Sequence, residues 1–181
     1  MLEQFGSFSE AEAQLFHTML IKKSVKKNER LVMHGEISKS IFFVRKGSFY
    51  QSYFSEDCEQ AMITDLYTEN EWLFNADSLI NQTPSRSDIT CFADAEVAEL
   101  TLEKLHQLIA FSPNFLLLNK IFNALSSKIG FYDENMNPAR KYNYILSSRP
   151  QLLQAFPLSM IASYLKIRPE TLSRVRANIS I

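Results

Sequence analysis

The sequence predicts an α+β chain: a leading helix, an antiparallel β-roll and a helical C-terminal part. Two changes of texture carry this prediction. From Lys22 to Leu100, short segments rich in Val, Ile, Phe, Tyr and Thr alternate with turn residues, as in an all-β roll or barrel. After Leu100 the apolar residues fall at helical spacing instead.

Taken in order, Ser9 and Glu12 have the spacing of a capping box, and Ala11, Leu15, Phe16, Met19 and Leu20 then form a helical stripe. Strand segments follow at 24–26, 31–34, 41–44, 48–54, 60–67, 89–92 and 97–100, with one short helix over 75–81. Asn28-Glu29, Gly35-Glu36, Lys46-Gly47 and Ser55-Glu56-Asp57 mark the turns. Leu102, Leu105, Leu108 and Ile109 predict a short helix, and a longer one spans about 113–135. Its apolar side is Leu117, Leu118, Ile121, Phe122, Leu125, Ile129 and Tyr132. Leu118, Leu125 and Tyr132 recur every seven residues. Such a stripe fits either a helix packed on its own domain or a dimer seam. Asn137-Pro138 looks like a hinge that starts a helix through Ser147, and Arg149-Pro150 ends it.

Near the C-terminus two short helical patterns lie back to back. Ile161, Ala162 and Leu165 form the inner face of the first, and Leu172 and Val175 that of the second. Ile167 sits between them. Pro169 takes a first-turn position, where its missing N–H costs nothing. The outward side of the second helix presents Glu170, Thr171, Ser173, Arg174 and Arg176, which suits base edges in a major groove. Charge supports this reading. The whole chain has 19 Lys+Arg and 20 Asp+Glu. From Pro138 onward, however, Arg140, Lys141, Arg149, Lys166, Arg168, Arg174 and Arg176 face only one acid, Glu170. A basic end on an acidic body is the asymmetry of a chain that meets phosphate at one end.

Other classes are disfavoured. No apolar run reaches the roughly 20 residues of a membrane span, and Met1–Phe5 lacks the basic start of a signal peptide. Cys58 and Cys91 are too few for a disulfide framework, and with His17, His34 and His106 they show no metal-ligand spacing. The reading is a reduced, cytoplasmic protein with no metal, no resident cofactor and no enzyme activity.

The order helix, roll, long helix, hinge and helix-turn-helix resembles the cyclic-AMP receptor protein/Fnr superfamily of bacterial transcription regulators. Three stretches carry the resemblance: Gly35-Glu36 through Gly47, Pro84–Ile89 with Asp94–Leu100, and Ile161-Ala162 through Arg174. It implies a cyclic-nucleotide-binding-like double-stranded β-helix over 1–112, a dimerisation helix over 113–136 and a DNA-binding helix-turn-helix over 137–181. It also implies a homodimer through Leu118, Phe122, Leu125, Ile129 and Tyr132, with double-stranded DNA and RNA polymerase as partners. In that frame Glu170 accepts from a cytosine amino group and Arg174 pairs with a guanine. Thr171 and Ser173 touch phosphate, and Arg168 and Arg176 add positive charge.

Departures from the family pattern shape the rest. Where cyclic-nucleotide binders present a Gly-Glu pair, this chain reads Asn70-Glu71-Trp72-Leu73-Phe74, with no glycine between Gly47 and Gly130. Arg86-Ser87 lies one residue out of register with the family's Arg-Ser pair. The effector is therefore read as an unidentified small molecule rather than cyclic AMP, met by Glu71, Trp72, Arg86 and Ser87, with Trp72 closing the pocket. The competing reading makes Glu71 and Arg86 surface or salt-bridging residues. Lys166 stands where the family has glycine, and Arg168 where it has a capping Ser or Thr. The residues after Arg176 are too few for the family's β-hairpin wing, so the alternative function is a binding module of the same fold that has lost DNA binding.

Overall fold

The computed structural model describes residues 1–55, 60–122 and 136–179. Its elements are α1 (Glu10–Met19), β1 (Ile21–Val25), β2 (Arg30–Val32), β3 (Ser40–Ser55), β4 (Gln60–Tyr67), β5 (Trp72–Leu73), α2 (Ala76–Asn81), β6 (Asp88–Thr101) and α3 (Leu102–Phe111). A 3-10 segment, Pro113–Asn119, follows. The C-terminal part holds α4 (Pro138–Ser148), α5 (Leu152–Ala155), α6 (Leu158–Tyr164) and α7 (Pro169–Ile179).

The antiparallel sheet runs β1-β6-β3-β4, with β2 also on β6 and β5 on β3. Segments read separately from sequence are continuous here. Residues 41–44 and 48–54 fuse into β3, and 89–92 and 97–100 into β6. Lys46-Gly47 is thus no turn between strands. The β3–β6 register slips three times between Val44 and Phe49, so the extra residues form bulges that bend a long strand. Gly47 sits there at φ 91°, and a Cβ on it would lie 2.6 Å from the Ala95 Cβ and 2.7 Å from the Asp94 carbonyl oxygen. Only glycine fits that approach.

Ser9 caps α1 by the reciprocal capping box. The same Glu12 carboxylate accepts from the Ser112 hydroxyl at 2.6 Å, tying α1 to the end of α3. This bond, then the Ser9 backbone N–H, holds the Glu12 pKa down at about 2.

One core fills the roll around Phe16, Phe49, Phe74, Leu108, Phe115 and Leu118. Each such side chain removed from water contributes about 1.5–3 kcal/mol. Leu118 is only 1% exposed within this core. Its seven-residue spacing therefore reflects packing on its own chain, which corrects its place in the dimer seam. Phe122 likewise packs edge-on against Phe74, with centroids 5.1 Å apart. Leu125, Ile129 and Tyr132 lie outside the described residues.

A second core joins Ile63 and Leu66 of β4 to Tyr142, Ile145, Leu152, Phe156, Ile161, Ala162, Tyr164, Leu165 and Leu172. Phe92 of β6 meets Phe156 at 5.1 Å between centroids. The residues after Pro138 therefore share a hydrophobic interior with the roll rather than swinging from a free hinge.

Candidate nucleic-acid interface

The turn between α6 and α7 is built by backbone hydrogen bonds. The Ile167 N–H donates to the Ala162 carbonyl and the Lys166 N–H to the Ser163 carbonyl, both at 3.0 Å. That pair is a Schellman closure, and it needs a left-handed residue at Lys166, whose φ is 53°. The glycine position read from sequence is thus real, and lysine fills it at a cost of about 1–2 kcal/mol. The buried Lys141 ammonium of α4 donates to the Leu165 carbonyl at 3.1 Å, satisfying a carbonyl at the end of α6.

On α7, Leu172 is fully buried and Val175 half-buried against α4 and α6. Glu170, Ser173, Arg174 and Arg176 are exposed and Thr171 is half-buried. Arg168, just before Pro169, is exposed too, and its carbonyl accepts from the Leu172 N–H. Burial corrects the charge argument. Lys141 and Arg149 are 5% and 7% exposed, so the basic surface of this part is Arg140, Lys166, Arg168, Arg174 and Arg176.

The residues read as an effector site do not converge. Glu71 is directed to the C-terminal helices: its two carboxylate oxygens lie 2.7 and 2.9 Å from Nη2 of Arg149, and Oε2 also accepts from the Thr68 N–H. The salt-bridging alternative holds for Glu71. Trp72 is buried between Phe5 and Phe43, with centroids at 6.2 and 5.1 Å, and cannot act as a closing flap. Arg86 is exposed while Ser87 is buried.

What occupies the roll interior is a network the sequence reading missed. Asn75 caps α2 through Ser78, and its Nδ2 donates to Ser85 Oγ at 2.7 Å and Ser87 Oγ at 2.9 Å. Gln51 Nε2 donates to Ser87 Oγ at 2.7 Å, and the Tyr67 hydroxyl donates to Gln51 Oε1 at 3.1 Å. Tyr67 also faces Asp65. Burial first, then that carboxylate, pushes the phenol well above its ordinary value.

Asp65 leads to a second missed residue, Arg149. Its Nη1 lies 3.4 Å from Asp65 Oδ1 and 3.2 Å from the Tyr164 hydroxyl, while Nη2 donates to the Leu66 carbonyl at 2.6 Å. Burial disfavours the guanidinium charge, but Glu71 and then Asp65 outweigh it, and the pKa is raised. Proline after it marked Arg149 as a helix stop. No local pattern links it to acids on β4 and the β4–β5 turn.

Comparison with known proteins agrees with this architecture. Residues 22–111 match the cyclic nucleotide-binding domain family. No curated protein matches the sequence. Among solved structures, FixK2 from Bradyrhizobium japonicum is similar with a TM-score of 0.68 and 14% identity, over 89% of this chain and 84% of that one. The c-di-GMP responsive global regulator CLP of Xanthomonas campestris gives 0.68 and 14%, over 95% and 92%. The catabolite activator protein of Thermus thermophilus gives 0.60 and 16%, over 97% and 85%. Residues 22–111 thus carry a match to the cyclic nucleotide-binding domain family, and the chain as a whole shares the fold of these solved structures.

Proposed function

We propose that this chain is a homodimeric, DNA-binding transcription regulator of the bacterial cytoplasm, in which α6 and α7 form a helix-turn-helix. The observation that carries the reading is the surface of α7: Leu172 anchors it inward while Glu170, Ser173, Arg174 and Arg176 stand outward beside Arg168 and Lys166. Arg174 offers two parallel donors to guanine O6 and N7, and Glu170 an acceptor for a cytosine amino group. Arg168 and Arg176 attract phosphate without reading sequence, and Thr171 and Ser173 add neutral phosphate contacts. The dimer seam falls to the heptad positions Leu125, Ile129 and Tyr132.

The roll serves as the effector domain, and its ligand is a small molecule other than cyclic AMP. Glu71 is engaged by Arg149 and Arg86 points outward, so neither is placed to hold a cyclic phosphate. RNA polymerase is the further partner of such a regulator. The protein is not an enzyme in this reading.

Selection from random duplexes at moderate salt tests the proposal. Two recognition helices related by a dimer axis predict an enriched inverted repeat with half-sites about one helical turn apart. Recovery of no repeat from a protein that is dimeric by sedimentation would replace it with a binding module that has lost DNA recognition.

A further inference from the structure

At the joint between the roll and the α6–α7 unit, one side chain gathers polar groups from both sides. Arg149 follows α4, yet its guanidinium contacts Asp65 and the Leu66 carbonyl of β4, Glu71 before β5, and Tyr164 of α6. A further side-chain hydrogen bond crosses the joint, from the Ile63 N–H to Ser163 Oγ at 3.1 Å. Beside them lie apolar contacts: Ile63 and Leu66 share a core with Ile161, Ala162 and Leu165. Apolar contacts tolerate sliding, whereas a planar guanidinium held at several acceptors fixes both distance and angle.

We infer that Arg149 is the positioning residue of the recognition helix: it sets where α6, and with it α7, sits on the roll, without touching DNA itself. The same cluster borders the network inside the roll: Gln51 donates to Ser87 and accepts from the Tyr67 hydroxyl, and Tyr67 faces Asp65. A ligand or substitution that moved Ser87 or Gln51 would act on the carboxylate that Arg149 holds. Two carboxylates share one guanidinium, so the cluster has an acid to spare and neutralising one of them keeps a balanced pair.

The DNA arm of the test rests on the proposed function; the other arm does not. In the full chain, Arg149→Gln is expected to raise hydrogen exchange of the amides in 138–179 together, by roughly tenfold or more, while β3 and β6 amides keep their protection. Should that variant fail to fold, the neutral combination of Asp65→Asn, Glu71→Gln and Arg149→Met removes the charges without leaving any unpaired, and the same pattern is expected. On DNA, the variant should bind roughly tenfold more weakly with an unchanged dependence of affinity on salt, because no phosphate contact is lost. Arg149→Lys, which keeps the charge but not the fork, should recover only part of the affinity.

Exchange that rises across roll and helices alike would reduce Arg149 to a general stabiliser and overturn the inference. So would unchanged affinity, or a shallower salt slope, which would make it a phosphate contact. If the unsubstituted chain binds no DNA but exchange still rises only in 138–179, the proposed function fails and the positioning role stands.

Discussion

The Arg149 guanidinium and the Glu71 carboxylate, 78 residues apart in sequence, meet at 2.7 Å with little access to water. Asp65 adds a second carboxylate at 3.4 Å. A buried ion cluster of this kind need not be more stable than an apolar substitute, but breaking it from one side is costly, since the groups left behind stay buried.

Arg149→Ala should therefore destabilise the chain by about 3–5 kcal/mol, and Glu71→Gln by about 1 kcal/mol, since Asp65 still neutralises the guanidinium. Urea denaturation midpoints check both. Equal losses would mean that the cluster does not act through charge balance.

Calorimetry with millimolar cyclic AMP should show no tight binding. Asn75, Ser85, Ser87 and Gln51 satisfy one another in the roll interior, and the one arginine of the Arg86-Ser87 pair is outside. A micromolar constant abolished by Arg86→Ala would reverse this view and make Arg86 a phosphate clamp.

Much of this molecule is visible in its sequence because it depends on neighbours along the chain. The α1 capping box, the α2 helix, the stop at Arg149-Pro150 and the inner faces of α6 and α7 follow local periodicity and capping chemistry. The left-handed position at Lys166 is implied only by the family resemblance, which places a glycine there. Strand continuity was not visible: the bulges at Lys46 and Gly47 look like a turn until β6 is seen to pair on both sides of them. Site residues failed where partners lie far apart. For Glu71 the sequence leaves both a ligand and a salt bridge open, and its actual partner, Arg149, stands 78 residues further along the chain. Leu118 shows the opposite limit, since one apolar spacing serves an internal core as well as a seam.

Gly47→Ala should cost about 1–3 kcal/mol, because the positive φ and the Cβ approach to Ala95 act together. Lys166→Gly should instead stabilise by about 1 kcal/mol by relieving a left-handed lysine. Thermal melts of the two variants should move in opposite directions. A destabilised Lys166→Gly would show that its side chain does more than accept strain.

The Cys91 thiol is fully buried, and burial first, then Asp94 and Glu29, raises its pKa from 9.0 to about 11. The folded state thus favours the neutral thiol. Its contribution is complete below pH 9, and is lost as pH rises from 9 through about 11. Thiol reagents at pH 8 should modify it only as fast as the chain opens, and the rate should rise with urea. Rapid labelling in native buffer would contradict this.

The reading of DNA by α7 is tested most directly by the salt dependence of binding to the selected site for three proteins: unsubstituted, Arg174→Ala and Arg176→Ala. Arg174→Ala should lose about 1–3 kcal/mol on the best site and discriminate less at one base pair. Arg176→Ala should weaken all duplexes alike and make the slope of log affinity against log salt shallower by about one. Identical affinities and slopes for all three proteins would contradict the assignment of α7 as the helix that reads DNA.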